Sequence, residues 1–204
     1  MPRMNILSTS EKDEFDTSPI FNSAQRKQFF EISSDLMQKI NKLRTPANKI
    51  AFVMAYGYFS AGKRFFATES YHKRDIEYVS KMMGFDEDAF NVDDYPARTR
   101  RNHQKSILEH CGFKPFDKGN EEFIYQEIRS MVFSNLKPNL IFWRCVDLMI
   151  REKIQIPGYN RISDIILKAL QFRKEELTKI ARSALTPDVE KLLRGCCMLD
   201  FRTS

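Results

Sequence analysis

Apolar residues recur at intervals of three and four along nearly every ordered stretch of this chain, and the period-two alternation of a half-buried strand is hard to find. With only seven glycines in 204 residues, few positions force a helix to stop. The pattern therefore predicts an all-α fold. A first helix is expected from Asn22 or Ser23 to Lys42, with Phe29, Ile32, Leu36, Ile40 and Leu43 on one stripe. A second opens with Thr45 as N-cap and Pro46 in the first helical position, and stops at Gly62. It is apolar nearly all round, through Ile50, Phe52, Val53, Met54 and Phe59, which marks a central buried helix. A third spans about Tyr71 to Met83 and buries Ile76, Val79 and Met83, with Gly84 as its stop.

An acidic loop holding Asp86, Glu87, Asp88, Asp93 and Asp94 follows, and then a helix from Pro96 to Cys111 ended by Gly112. Beyond the turn-rich stretch 112–120, helices are expected over Glu121 to Leu136, Asn139 to Glu152 and Arg161 to Leu185. Lys137-Pro138 and Pro157-Gly158 separate them, and Thr186-Pro187 starts a short last helix. The natural parse is two tandem bundles of short helices, residues 1–112 and 113–204. The turn Ile156-Pro157-Gly158-Tyr159 makes the second bundle helix-turn-helix-like. Lys63-Arg64-Phe65-Phe66 leading to Asp75-Ile76 is faintly echoed by Arg151-Glu152-Lys153-Ile154 leading to Asp164-Ile165.

Several functions lose their footing. Met1 to Asp16 has no basic region followed by an apolar stretch. The longest apolar run, Ile50 to Phe59, is about half of what a spanning helix needs, so a soluble cytoplasmic chain with no membrane partner is expected. Cys111, Cys145, Cys196 and Cys197 contain no C-x-x-C pair and read as reduced thiols. Gly57 to Lys63 fits G-x-x-x-x-G-K, but Arg64 stands where Ser or Thr should hold magnesium, and no strand precedes it. His72, His103 and His110 lack companions at metal-ligand spacing. No nucleophile or acid-base motif is visible. The expectation is a chain without catalytic residues, metal, cofactor or small-molecule substrate.

The formal net charge of +6 favours a polyanionic partner only if the charge is concentrated. It is: residues 63–94 hold five basic and eight acidic side chains, whereas 95–118 hold six and two. Arg98, Arg101, Asn102 and Lys105 fall at three, four and seven spacing and share one helical stripe, with Ile107, Leu108 and Cys111 towards the other side. Such a face offers donors for phosphates and for purine edges; a solvated basic face is the other reading. On the long helix, Ile162, Ile165, Ile166, Leu170, Leu177 and Ile180 form the apolar stripe. Arg161, Asp164, Lys168, Gln171, Thr178 and Arg182 then face solvent.

The order of motifs carries a resemblance. Met4-Asn5-Ile6-Leu7-Ser8-Thr9-Ser10-Glu11 is followed by Ala61-Gly62-Lys63-Arg64-Phe65-Phe66. Then come Tyr95-Pro96-Ala97-Arg98-Thr99-Arg100-Arg101-Asn102-His103 and Arg151-Glu152-Lys153-Ile154-Gln155-Ile156-Pro157-Gly158-Tyr159-Asn160-Arg161-Ile162. Over about Met4 to Leu185 the succession resembles the N-terminal region of the Tn-three family of replicative transposases of bacterial class II transposons. The tail from Gly195 to Asp200 departs from the pattern. The resemblance implies recognition of double-stranded DNA at the terminal inverted repeats. It also implies that the magnesium-dependent DDE catalytic domain lies far beyond these residues in a much longer protein, leaving this part non-enzymatic and nucleoid-associated. Full-length enzymes of the family act as oligomers.

Carried over residue by residue, the resemblance adds Arg100, His103, Tyr159 and Asn160 as candidate DNA contacts to Arg98, Arg101 and Arg161. Arg100, Lys105, Lys168 and Arg182 are expected on phosphates; Arg98, Arg101, Asn102 and Arg161 are expected at base edges. The alternative is a helical protein-interaction module whose aromatic faces dock a partner, and a third possibility is an RNA-binding helical domain.

Overall fold

The computed structural model describes residues 4–86, 88–91 and 95–184. Among them the named elements are all helical, and the one strand-like pairing is an isolated parallel bridge between Lys114 and Ile154. The fold is all-α, as the periodicity requires. Glu87, Asp93 and Asp94 of the acidic loop, Leu185, the helix expected at Thr186-Pro187 and the Cys196-Cys197 tail lie outside the described residues.

A helix that periodicity does not reveal opens the chain. In α1 (Thr9–Asp16), Ser8 Oγ accepts from Glu11 N at 3.3 Å while Glu11 Oε2 accepts from Ser8 N at 2.9 Å. This reciprocal capping box satisfies two end groups of a helix too short to show an apolar stripe. The helix expected from Asn22 to Lys42 is in fact two, α2 (Ser23–Phe29) and α3 (Ser34–Asn41). The break has a local cause: the Ser33 hydroxyl accepts from Leu36 N at 3.3 Å and caps a new helix. Phe30, at the end of α2, drops to 0% exposure, so the core gains an aromatic where a continuous helix would carry Phe29.

The buried helix α4 (Pro46–Gly62) starts as expected, with Thr45 Oγ1 accepting from Asn48 N at 3.2 Å. Its end differs. Gly62 stays helical, and the left-handed stop is Lys63 at φ 54°. The segment resembling a phosphate loop is thus the second half of a buried helix. A 3-10 turn (Thr68–Ser70), α5 (Lys73–Met82) and α6 (Ala97–Cys111) follow, and Gly84 and Gly112, at φ 73° and 67°, supply left-handed positions after them. The second group is α7 (Lys118–Phe133), capped by Asp117, then α8 (Pro138–Arg151) and α9 (Tyr159–Ala184).

Buried side chains form two clusters. The first surrounds α4, where Ile50, Phe52, Tyr58 and Phe59 meet Phe30, Leu36, Ile40, Val79 and Ile107. The second joins Ile124 and Ile128 of α7, Phe142 and Met149 of α8, and Ile162 and Ile166 of α9. Burying each large apolar side chain contributes roughly 1.5–3 kcal/mol before chain entropy is charged against it. From Phe21 onward the buried members of the two clusters fall on either side of residue 112, although Phe113 still packs on the first. Residues 6–16 belong with the second cluster, because Ile6 and Leu7 are buried in it and Phe15 packs on its edge. The apolar stripe of α9 also ends early: Leu177 and Ile180 are 52% and 62% exposed, since no described helix runs alongside that end.

The two lysines of the faint sequence echo prove equivalent. Lys63 and Lys153 both end long helices in the left-handed region, at φ 54° and 53°. Lys63 O accepts from Ile156 N at 3.0 Å, across the boundary between clusters, and Lys153 O accepts from Lys114 N at 2.7 Å, just past that boundary. The Asp75–Asp164 part of the echo fails: Asp75 is wholly buried, accepting from Arg26 Nε and, at 2.8 Å, from Tyr58 OH, whereas Asp164 is exposed.

Gly57 sits where α4 crosses Phe30, and a Cβ there would lie 2.2 Å from the ring carbons Cδ1 and Cε1. Gly57→Ala should destabilise the protein by at least about 1–3 kcal/mol through overpacking, read as a lowered urea midpoint with unchanged slope. Gly84→Ala, with open space around it, should cost only the strain of a positive φ.

Candidate nucleic-acid interface

Helix α6 buries His103 and Ile107 on its inner face, and Leu108 nearer its C-terminal end, while Arg98, Arg101, Asn102 and Lys105 are all exposed along one outer stripe. The helical spacing puts them there, since steps of three and four residues return to the same side of a 3.6-residue turn. The dense row of donors is therefore solvent-facing.

Two residues implied by the resemblance do not join it. His103 points inward: Nδ1 lies 2.8 Å from Tyr95 OH, and the ring packs edge-on to Phe52 at 5.2 Å. Burial lowers its imidazole to about 4, so the neutral ring is a core group and is withdrawn as a DNA contact. Arg100 is half-buried, with Nη1 donating to Thr68 Oγ1 at 3.2 Å; it braces the 3-10 turn against α6.

The start of α9 is likewise split. Tyr159 is 6% exposed, and its phenol oxygen lies 3.3 Å from Ile6 N and 3.5 Å from Leu7 N. It anchors the N-terminal segment and is corrected from DNA contact to structural residue. Asn160 and Arg161 are exposed beside it. Arg161 is not free, because its Nη2 pairs with Glu121 of α7. Lys168 lies two turns further along the same stripe, its Nζ 4.5 Å above the Tyr125 ring. Together with Lys118 and Glu122 these residues line a shallow depression of about 270 Å³ between α7 and α9. Arg182 is exposed near the far end of α9.

The sequence reading missed Arg129 and Arg173. Arg129 stacks 4.1 Å over Phe172; Arg173 lies 5.5 Å over Phe133, and its Nη2 donates to Asn135 Oδ1 at 2.7 Å. Aromatic residues at matching positions of α7 and α9 were the available signal. The second basic face is thus mixed: cations lie on aromatic rings and alternate with Glu121 and Glu122.

Among the described residues no group of three or more His, Cys, Asp or Glu side chains is placed to hold a metal ion, and no helix is long and apolar enough to cross a membrane. Cys111 and Cys145 are unpaired, and burial pushes the Cys145 thiol up to about 12, which makes it unreactive at neutral pH.

These features define an all-α protein with two aliphatic-aromatic cores and basic side chains displayed on one helix of each. Residues 6–169 match the family described as a domain of unknown function (DUF4158), and the chain belongs to that family. Comparison with curated proteins finds no match. The family match takes in the N-terminal segment that crosses to the second core, and stops where α9 leaves it.

The His103 environment has a pH signature. An unfolded chain takes up the proton near 6.5 and the folded one only near 4, so between these values the unfolded state holds more protons and stability rises with pH. The contribution is fully present above about 6.5 and is lost as pH falls towards 4, up to about 3 kcal/mol in all. Thermal melts across that window should fall steeply for the native protein and less steeply for His103→Gln.

Proposed function

We propose that this chain binds double-stranded DNA as the non-catalytic, inverted-repeat-recognising part of a Tn-three family transposase. The observation that carries the reading is the outer stripe of α6. Arg98, Arg101, Asn102 and Lys105 are exposed side by side on one rigid helix, with donors suited to phosphates and purine edges. Asn160, Arg161 and Lys168 at the start of α9 support a second place of contact, and the succession of motifs shared with the transposases supports the choice of duplex DNA. Arg101 and Arg98 are assigned to base edges, Lys105 and Lys168 to phosphates. Strand transfer would belong to a separate DDE domain with its own magnesium.

A protein-docking role is the second reading, favoured by the exposed Leu177 and Ile180. Salt separates the two, because neutralising several phosphates makes affinity fall steeply with ionic strength, whereas apolar docking is nearly indifferent to it.

In a salt-matched titration on an inverted-repeat duplex, Arg101→Ala should cost about 1–3 kcal/mol and relax specificity, while Lys105→Ala should weaken all sequences alike and reduce the salt slope by about one. Glu121→Gln should do the reverse: with its carboxylate gone, Arg161 becomes available and binding strengthens at low salt. Unchanged affinity in both Arg101→Ala and Arg161→Ala would sink the assignment.

A further inference from the structure

Helix α9 begins without a cap of its own, since Gly158 precedes Tyr159 and has no side chain to offer. The cap comes instead from 143 residues earlier in the chain: Asp16 Oδ1 accepts from Tyr159 N at 3.1 Å. The same oxygen accepts from Arg64 Nη2 at 2.7 Å, and Arg64 is 7% exposed. The guanidinium is held in place by stacking 4.4 Å over Phe15 and 5.1 Å over Phe66, and by donating from Nη1 to Phe15 O. One carboxylate oxygen thus joins the end of α4, on which α6 packs, to the first turn of α9. The backbone bonds of Lys63 and Lys153 hold the connection between α8 and α9 only as far as Ile156. The first turn of α9, carrying Asn160 and Arg161, is tied directly to Arg64 through Asp16, and Tyr159 OH adds an indirect tie through the backbone of Ile6 and Leu7.

We propose that Asp16 is a positioning residue, which with Arg64 holds the basic stripe of α6 and the first turn of α9 at one mutual spacing so that both engage a single duplex. This rests on the DNA-binding reading. It assigns the gain from two-site engagement to a joint that touches no DNA. Two weak sites on a rigid frame act as one strong site, and loosening the frame forfeits that gain without altering either site.

The test compares two duplexes: one of about 30 base pairs, roughly three turns, and one of about 12, little more than one turn. The native chain should bind the longer duplex tighter by roughly tenfold or more beyond the statistical factor. Asp16→Ala, which removes the shared acceptor oxygen, should erase that advantage while leaving short-duplex affinity unchanged, and amide exchange at Tyr159 should accelerate. Because Asp16→Ala leaves Arg64 with an unmatched buried charge, the double variant Asp16→Ala/Arg64→Gln, which buries no charge there, serves where the single variant does not fold. A folded variant that keeps the long-duplex advantage overturns the proposal. Binding of neither duplex by the native chain would refute the DNA reading instead. The joint is then judged by exchange at Tyr159 and by the radius of gyration in solution scattering, and a folded variant unchanged in both overturns it.

Discussion

A guanidinium taken out of water destabilises a protein unless charge and hydrogen bonds meet it from its surroundings, and the arrangement of this molecule follows from how Arg64 is met. Lys63 adopts a left-handed conformation that ends α4 and turns the next side chain inward. Two phenylalanines then sandwich the cation, one from the N-terminal segment and one from the residues after α4. Its Nε is buried without a hydrogen-bond partner among the described residues, while the Phe15 carbonyl and the Asp16 carboxylate accept from its two terminal nitrogens. Both belong to α1, a helix that exists because Ser8 and Glu11 cap each other. Asp16 in turn caps α9. Removing the Asp16 carboxylate leaves a buried charge and an open helix end, so the two cores are joined by charge and hydrogen bonding as well as by apolar contact.

The basic side chains are not equally available. On α6 they stand clear of the core because buried His103 and Ile107 occupy the opposite side. On α7 and α9 they lie against Tyr125, Phe133 and Phe172, or pair with Glu121. A cation over an aromatic face is held in direction while keeping its charge, which suits a preorganised phosphate contact. A cation paired with a carboxylate must first give up that partner. The two faces thus offer different chemistry even though both are rich in arginine and lysine.

Much of the fold was legible because helices declare themselves through local periodicity. Thr45 and Pro46 mark the start of α4, and the Gly112 stop and the α6 stripe also follow from neighbours a few residues apart. The capping box of α1 was equally local and equally readable, although eight residues show no apolar period. The split between α2 and α3 turned on a competition between helix continuation and the Ser33 cap, and Phe30 at the break packs against the open face of Gly57. The candidate site was less legible. His103 lies in the same basic run as Arg101 and Asn102, yet its ring is buried against Tyr95 and Phe52. Tyr159 adjoins Asn160, yet it serves Ile6 and Leu7.

By itself the sequence determined most of the helical segments, α1 and the break between α2 and α3 excepted, that apolar stripes had to be buried, and that a row of cationic donors would lie along one side of α6. All three depend on interactions within about two helical turns. Tertiary structure alone decided that residues 6–16 serve the second core, that Arg161 is engaged by a carboxylate forty residues away, and that α9 is capped by Asp16. Partners so distant in the chain leave no periodic trace, because what selects them is the need to satisfy buried charge and open helix ends once the cores have formed.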